Sequence, residues 1–342
     1  MMPEWKSVGI TLGVALTGVG LFILFGLPLP FLLGPMLACL IAALCKVRLN
    51  GMNRPATFAR AILGVAIGAS VTPELISRLP AMMTSLALVP IYIATIAVVG
   101  IPFFVRVCGF DRSTAFFSAM PGGAVDMTLF GQQAGANVRQ ISLVHATRLL
   151  VLVMITPFIL DWVYDADLHG RVGASMRDIP VYELVIMAVA AIVGMKIATA
   201  LNIFGGVIIG PMLVTIPLSL LGVISDRPPT EVLLAAQLLI GIGIGISYVG
   251  ITMTELKQTV LAGTAYVLIL GTIAAVVTEI ATLLGLAPPK EAFLSFAPGG
   301  QAEMSMLAIL TGADAGFVVV HHLVRVLLVI VISPFFLKFL KD

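Results

Sequence analysis

The sequence predicts an all-α polytopic membrane protein made of two homologous repeats of five to six helical elements each, with helices broken at paired Pro-Gly-Gly motifs. Three observations carry this reading. Of 342 residues, 60% are apolar and only 11% charged, against the roughly half-apolar, quarter-charged mix of a soluble domain; mean hydropathy is +1.13. Apolar runs near the ~20 residues that cross hydrocarbon recur over 8–26, 29–45, 83–105, 139–160, 181–200, 204–223, 258–285 and 314–337. Finally, "SAMPGGAVDM" at Ser118–Met127 returns as "SFAPGGQAEM" at Ser295–Met304.

In chain order, the first run follows only Lys6, lacks a small-residue cleavage pattern and leads straight into the second, so it reads as a retained helix. The second run contains "GPML" at Gly34–Leu37, either a kinked helix packed closely on its neighbours or a further break lining a cavity. Glycines every two to four residues in "GVAIGAS", Gly64–Ser70, suit close helix packing. The broken element and a long helix complete the half. "DWVYDADLHGRVGASMRDIP", residues 161–180, is too short to fold alone and reads as a linker. Residues 1–160 are thus one membrane repeat and 181–342 the other.

The register supports duplication. A spacing of 177 carries Asp126 to Glu303, Met127 to Met304, Gly135 to Gly312, His145 to His322, Arg148 to Arg325 and Pro157 to Pro334. "GPML" recurs at Gly210–Leu213 with a spacing of 176, and "GIGIGIS" at Gly241–Ser247 with 177. Transporters built this way place their site at the interface between repeats. With six crossings per half the repeats are parallel. With five, one element such as 58–79 or 114–134 being re-entrant, they are inverted. If every element crosses, Lys6, Lys46, Arg48, Arg54, Arg60, Arg106, Arg112, Arg171, Arg177, Arg227, Lys290, Lys338 and Lys341 share one side, and Arg78, Arg139, Lys196 and Lys257 the other. The positive-inside rule then puts both termini in the cytoplasm.

Pro121, Gly122 and Gly123, and again Pro298, Gly299 and Gly300, must break or start a helix. Backbone groups freed in hydrocarbon require protein or water around them. Helix resuming at Ala124 or Gln301 places Asp126 and Glu303 in its first turn, where an acid caps the amides, binds a proton or cation, or does both. Arg148 and Arg325 lie within "LVHATRLLVLVMI" and "VVHHLVRVLLVIVI" at a depth similar to the acids, so pairing with a carboxylate of the same or the other half is expected. His145 and His322 precede those arginines by three residues and share their helix face, as packing groups or proton relays. These twelve residues form the candidate substrate- and ion-binding set, with no catalytic or metal residue among them.

Other classes are disfavoured. A net charge of +2 gives no basic stripe for nucleic acid. Cys39, Cys45 and Cys108 share no metal-ligand spacing, and four histidines are too few for a copper or zinc centre. No cofactor is expected, and the chain is not expected to be an enzyme.

The two "PGG…[DE]M" motifs, each followed by "H..R", with "GPM" in both halves, resemble the bacterial AbrB family of polytopic membrane proteins over nearly the full chain. The resemblance implies an internal duplication and a link to regulation of gene expression. Some family members carry an ammonia monooxygenase label, for which this chain offers no assembled metal ligands. The similarly named soluble transition-state regulator uses a small basic β-rich domain that has no counterpart here. More distantly, broken helices in repeated halves look like the cation/proton antiporter and anion transporter group. The expected partners are the lipid bilayer, a small solute and a coupling H+ or Na+; a homo-oligomer is allowed. Secondary transport is the first expectation, and membrane-based regulation of gene expression the alternative.

Overall fold

A computed structural model describes residues 4–50, 53–71, 73–166, 168, 174–201, 203 and 206–340, apart from some side chains within helices. The described residues form helices and no strands. The first repeat gives α1 (Glu4–Leu24), α2 (Pro30–Leu44), α3 (Asn53–Gly68), α4 (Pro73–Leu86), α5 (Leu88–Pro102, extended by a π-turn over Phe103–Val107), α6 (Arg112–Ala119), α7 (Ala124–Gln133) and α8 (Val138–Tyr164). The second gives α9 (Val181–Ala200), α10 (Gly206–Leu220), α11 (Thr230–Ile246), α12 (Met253–Glu255, followed by a π-turn over Leu256–Val260), α13 (Leu261–Leu283), α14 (Pro289–Phe296), α15 (Gln301–Leu310) and α16 (Ala315–Leu340). Among the described residues six stretches are long and apolar enough to cross a membrane: Lys6–Leu24, Met82–Val107, Val138–Tyr164, Val181–Ala200, Met253–Leu283 and Ala315–Ser333. Each repeat supplies three.

The chain forms two compact units, and they cut across the repeats. Unit 1 comprises Met1–Leu79, Pro157–Gly250 and Ser305–Gly316; unit 2 comprises Pro80–Thr156, Ile251–Met304 and Phe317–Asp342. Each unit therefore takes helices from both halves of the sequence.

Unit 1 explains the glycine motifs. A Cβ added to Gly64 or Gly68 of α3 would strike the α10 backbone at Ile208 or Met212, and one on Gly241 or Gly245 of α11 would strike α2 at Leu32 or Met36. The exchange is reciprocal, so "GVAIGAS" of one repeat seats "GPML" of the other, and "GIGIGIS" does the same in return. Gly18 on Gly34 and Gly194 on Gly210 close the α1–α2 and α9–α10 pairs in the same way. Glycine is needed at these places because only a missing side chain lets two helix backbones touch. Both motifs are packing seams.

These contacts also give helix directions, which the sequence left open. Contact positions rise together along α2 and α11 and along α3 and α10, so both pairs are parallel. They run oppositely in α9–α10, where Gly194 meets Gly210 and Gly206 meets Ala198. The amide of Asn50, beyond α2, donates to Thr11 in α1, making α1 and α2 antiparallel. α9 and α11 start at one end: Glu231 accepts from Ser175 and Met176 just before α9, and Glu183 accepts from Ser225 and Asp226 just before α11. It follows that α1, α2 and α3 run opposite to their equivalents α9, α10 and α11. Within unit 1 the repeats are inverted.

Candidate functional site

Both Pro-Gly-Gly breaks lie in unit 2. At the first, α6 is eight residues and α7 ten, about 12 and 15 Å, so neither spans a membrane. Asp111 caps α6 by accepting from the Thr114 amide. The amide of Asn137, beyond the end of α7, donates to Thr114 Oγ1 near the start of α6, at 2.8 Å. Nearer the break, Phe117 faces Gly131. α6 and α7 are thus an antiparallel helical hairpin with Pro121–Gly123 at its tip. Gly135, in the left-handed region at φ 72°, turns the chain into α8, and Gly312 takes the same conformation at φ 68°.

The tips are built alike. A Cβ on Gly122 would come 2.7 Å from Met127 Cε, and one on Gly299 2.6 Å from Met304 Cε. The recurrent methionine after each acid is therefore the floor of the tip, its thioether filling the space that the glycine vacates. Both methionines are fully buried.

Proline has no amide hydrogen, so Pro121 withdraws the donor that the Phe117 carbonyl, four residues back, expects in a helix. His145 Nε2 donates to that carbonyl instead, at 2.9 Å. The second repeat is the same: Pro298 orphans the Leu294 carbonyl and His322 Nε2 donates to it at 2.9 Å. The arginine one turn further on serves the next carbonyls. Arg148 donates through Nη1 to Met120 O at 3.3 Å and through Nη2 to Gly122 O at 3.1 Å. Arg325 donates to Ala297 O at 2.9 Å and Gly299 O at 3.0 Å. A guanidinium at the negative end of a short helix both satisfies its open carbonyls and opposes its dipole.

Both guanidiniums hydrogen-bond to carbonyls of the break, partners that the expected arginine–carboxylate pairing did not include. The reason is that a broken helix in apolar surroundings has acceptors in urgent need of donors. Glu303 is buried in the first turn of α15, and its carboxylate lies over Gly300, where a Cβ would collide with it. Its charge acts on Arg148, the arginine of the other repeat. The Asp126 backbone lies in the first turn of α7; its side chain falls outside the described residues.

The repeats differ in one detail. Arg325 Nη2 lies 3.1 Å from His322 Nδ1; arginine only donates, so that nitrogen accepts and the proton sits on Nε2. Among the described residues His145 Nδ1 has no such partner. Sequence reasoning missed Tyr92 and Tyr266. Tyr266 donates to Ala119 O, beside the first cap, at 2.9 Å and stacks on Phe103. Tyr92 packs edge-on against Phe296 and lies within electrostatic range of both arginines. It also passed over Ser118 and Ser295, although they open the two repeated motifs, and over His321, which is 3.0 Å from Ser85.

The residues that define this wiring lie within the match to the family model described as "Transition state regulatory protein AbrB", which covers residues 31–341. The chain belongs to the AbrB family. Among curated relatives, "Uncharacterized protein YhjN" from Bacillus subtilis (strain 168) is 26% identical over 96% of this chain and 92% of its own length. "Putative regulator AbrB" from Escherichia coli (strain K12) is 24% identical over 94% of this chain and 92% of its own.

Proposed function

We propose that this AbrB-family protein is a secondary transporter of the bacterial inner membrane that moves a small solute coupled to H+ or Na+. The observation that carries the reading is the pair of capped helix breaks in one unit, with a buried acid, Glu303, in the first turn after the second. Broken helices survive at membrane depth where they line a binding site. Gly123 and Gly300 are only partly buried and carry no side chain, which gives a solute close access to the backbone, and an acid beside them gives a coupling ion its ligand.

The hairpin supports one count of crossings. With α6 and α7 entering and leaving on one side, and α14 and α15 taken to do the same, each half has five. Arg139, Lys196 and Lys257 then join Lys6, Lys46, Arg48, Arg54, Arg60, Arg106, Arg112, Lys338 and Lys341, twelve in all. Arg78, Arg171, Arg177, Arg227 and Lys290, five in all, face them. Both termini are cytoplasmic under the positive-inside rule, as in the six-crossing count but with the repeats inverted.

The test is flux. Purified protein in proteoliposomes should accumulate a solute down an imposed proton or sodium gradient, and Glu303→Gln or Asp126→Asn should abolish that accumulation. Uptake unchanged in both variants removes the acids from the mechanism. The second reading, regulation of gene expression, is favoured by the family description and by the printed name of the Escherichia coli relative. It predicts that a transport-dead but folded variant still restores the transcript pattern of a deletion strain.

A further inference from the structure

After each arginine has served its two carbonyls, its Nε–H remains buried with no partner among the described residues, for Arg148 and Arg325 alike, and each residue is only 3% exposed. Buried donors left unpaired are rare and expensive, so each requires an explanation. Capping accounts for the Nη atoms and leaves Nε unexplained. The orphans also recur at equivalent places. Ser118 Oγ and Ser295 Oγ, one turn before each break and 177 residues apart, are likewise buried without a partner, as is Tyr92 OH. An accidental packing defect would not be copied in both repeats.

These atoms have one chemistry in common, since each can donate a hydrogen bond and the two Nε–H groups carry positive charge. The arginines act on one another electrostatically, and Tyr92 acts on both. A guanidinium Nε–H makes a charge-assisted hydrogen bond to an oxyanion oxygen. We infer that unit 2 binds a small oxyanion, a carboxylate or a tetrahedral anion, on the Nε–H groups of Arg148 and Arg325 with Tyr92, Ser118 and Ser295 as further donors. This names the solute of the transport reading, and as a statement about the transported substrate it rests on that reading. It also gives the acids a purpose. Arg148 and Arg325 balance Asp126 and Glu303 in formal charge, so an anion enters without net charge only when a proton or sodium ion neutralises an acid.

The experiment uses the full chain in detergent. Sodium acetate, sodium succinate and sodium sulfate are titrated at constant sodium and ionic strength, with choline chloride and glycerol as controls, and the melting temperature is followed. At least one oxyanion should raise it saturably, while choline and glycerol do not. The mild variants Ser118→Ala/Ser295→Ala and Tyr92→Phe keep the caps intact and should weaken that affinity about tenfold or more, the size expected for hydrogen bonds to a charged group. Arg148→Lys and Arg325→Lys should lose it altogether. No shift with any of the three anions, or equal shifts in wild type and the serine and tyrosine variants, overturns the inference. Flux separates the two readings: uptake of choline or glycerol without any effect of the anions leaves transport standing and sinks the oxyanion. Saturable anion binding with no flux of any probe does the reverse.

Discussion

The pairing of proline with a histidine 24 residues later is the smallest rule that both repeats obey. The proline removes a donor from the carbonyl four residues back, and the imidazole returns one. His145→Ala should therefore lower stability by about 1–3 kcal/mol, the penalty of an unsatisfied buried carbonyl. In a Pro121→Ala background the restored amide can serve Phe117 O, so the same substitution should cost less. Thermal unfolding of the four proteins in a double-mutant cycle measures the coupling, and additive losses would reject the account. Gly300→Ala is a second test, because its Cβ points at the Glu303 carboxylate. Folded protein with uptake reduced at least tenfold is the expected result. The breaks, the acids and the His-x-x-Arg spacing were legible in the sequence. The arginine partners were not, because a backbone carbonyl has no residue type to announce it. Tyr92 was equally hidden, since a single tyrosine in an apolar run has no pattern.

Among the elements, the long apolar runs translate almost directly into helices, with 181–200 matching α9 residue for residue. What periodicity could not supply was partnership. Glycine-rich motifs announce close packing without naming the helix they receive, and the answer crosses between repeats. Position within a motif decides the effect of a substitution. Gly241→Ala drives a Cβ into the α2 backbone and should lower stability by about 1–3 kcal/mol through overpacking. Gly243, two residues along, has open space where a Cβ would go. Gly243→Ala should be neutral or stabilising by up to about 1 kcal/mol, because alanine is the better helix former. Melting curves of the two variants in one detergent should separate in that order.

At the scale of the whole molecule, inversion of the repeats was an alternative that the sequence left open, since it turns on whether an element such as 58–79 or 114–134 crosses or folds back. The hairpin contact between Thr114 and Asn137 answers that locally, and the glycine seams answer it independently. The proposed five-crossing arrangement would place Gln133 in the cytoplasm and Leu284 outside. In a protein lacking Cys39, Cys45 and Cys108, a membrane-impermeant thiol reagent added to intact cells should label Leu284→Cys and spare Gln133→Cys; the opposite pattern would refute the topology.

The contacts divide by ancestry. Every hydrogen bond that repairs a break by histidine or arginine joins residues 26 or 28 apart within a single repeat, whereas the α2–α11 and α3–α10 seams join one repeat to the other. Half a chain would thus mend its own break yet leave its glycine grooves empty, and the surface that fills them belongs to a copy lying upside down. Residues 1–165 and 175–342, expressed as separate chains, should be unstable apart and co-purify when made together.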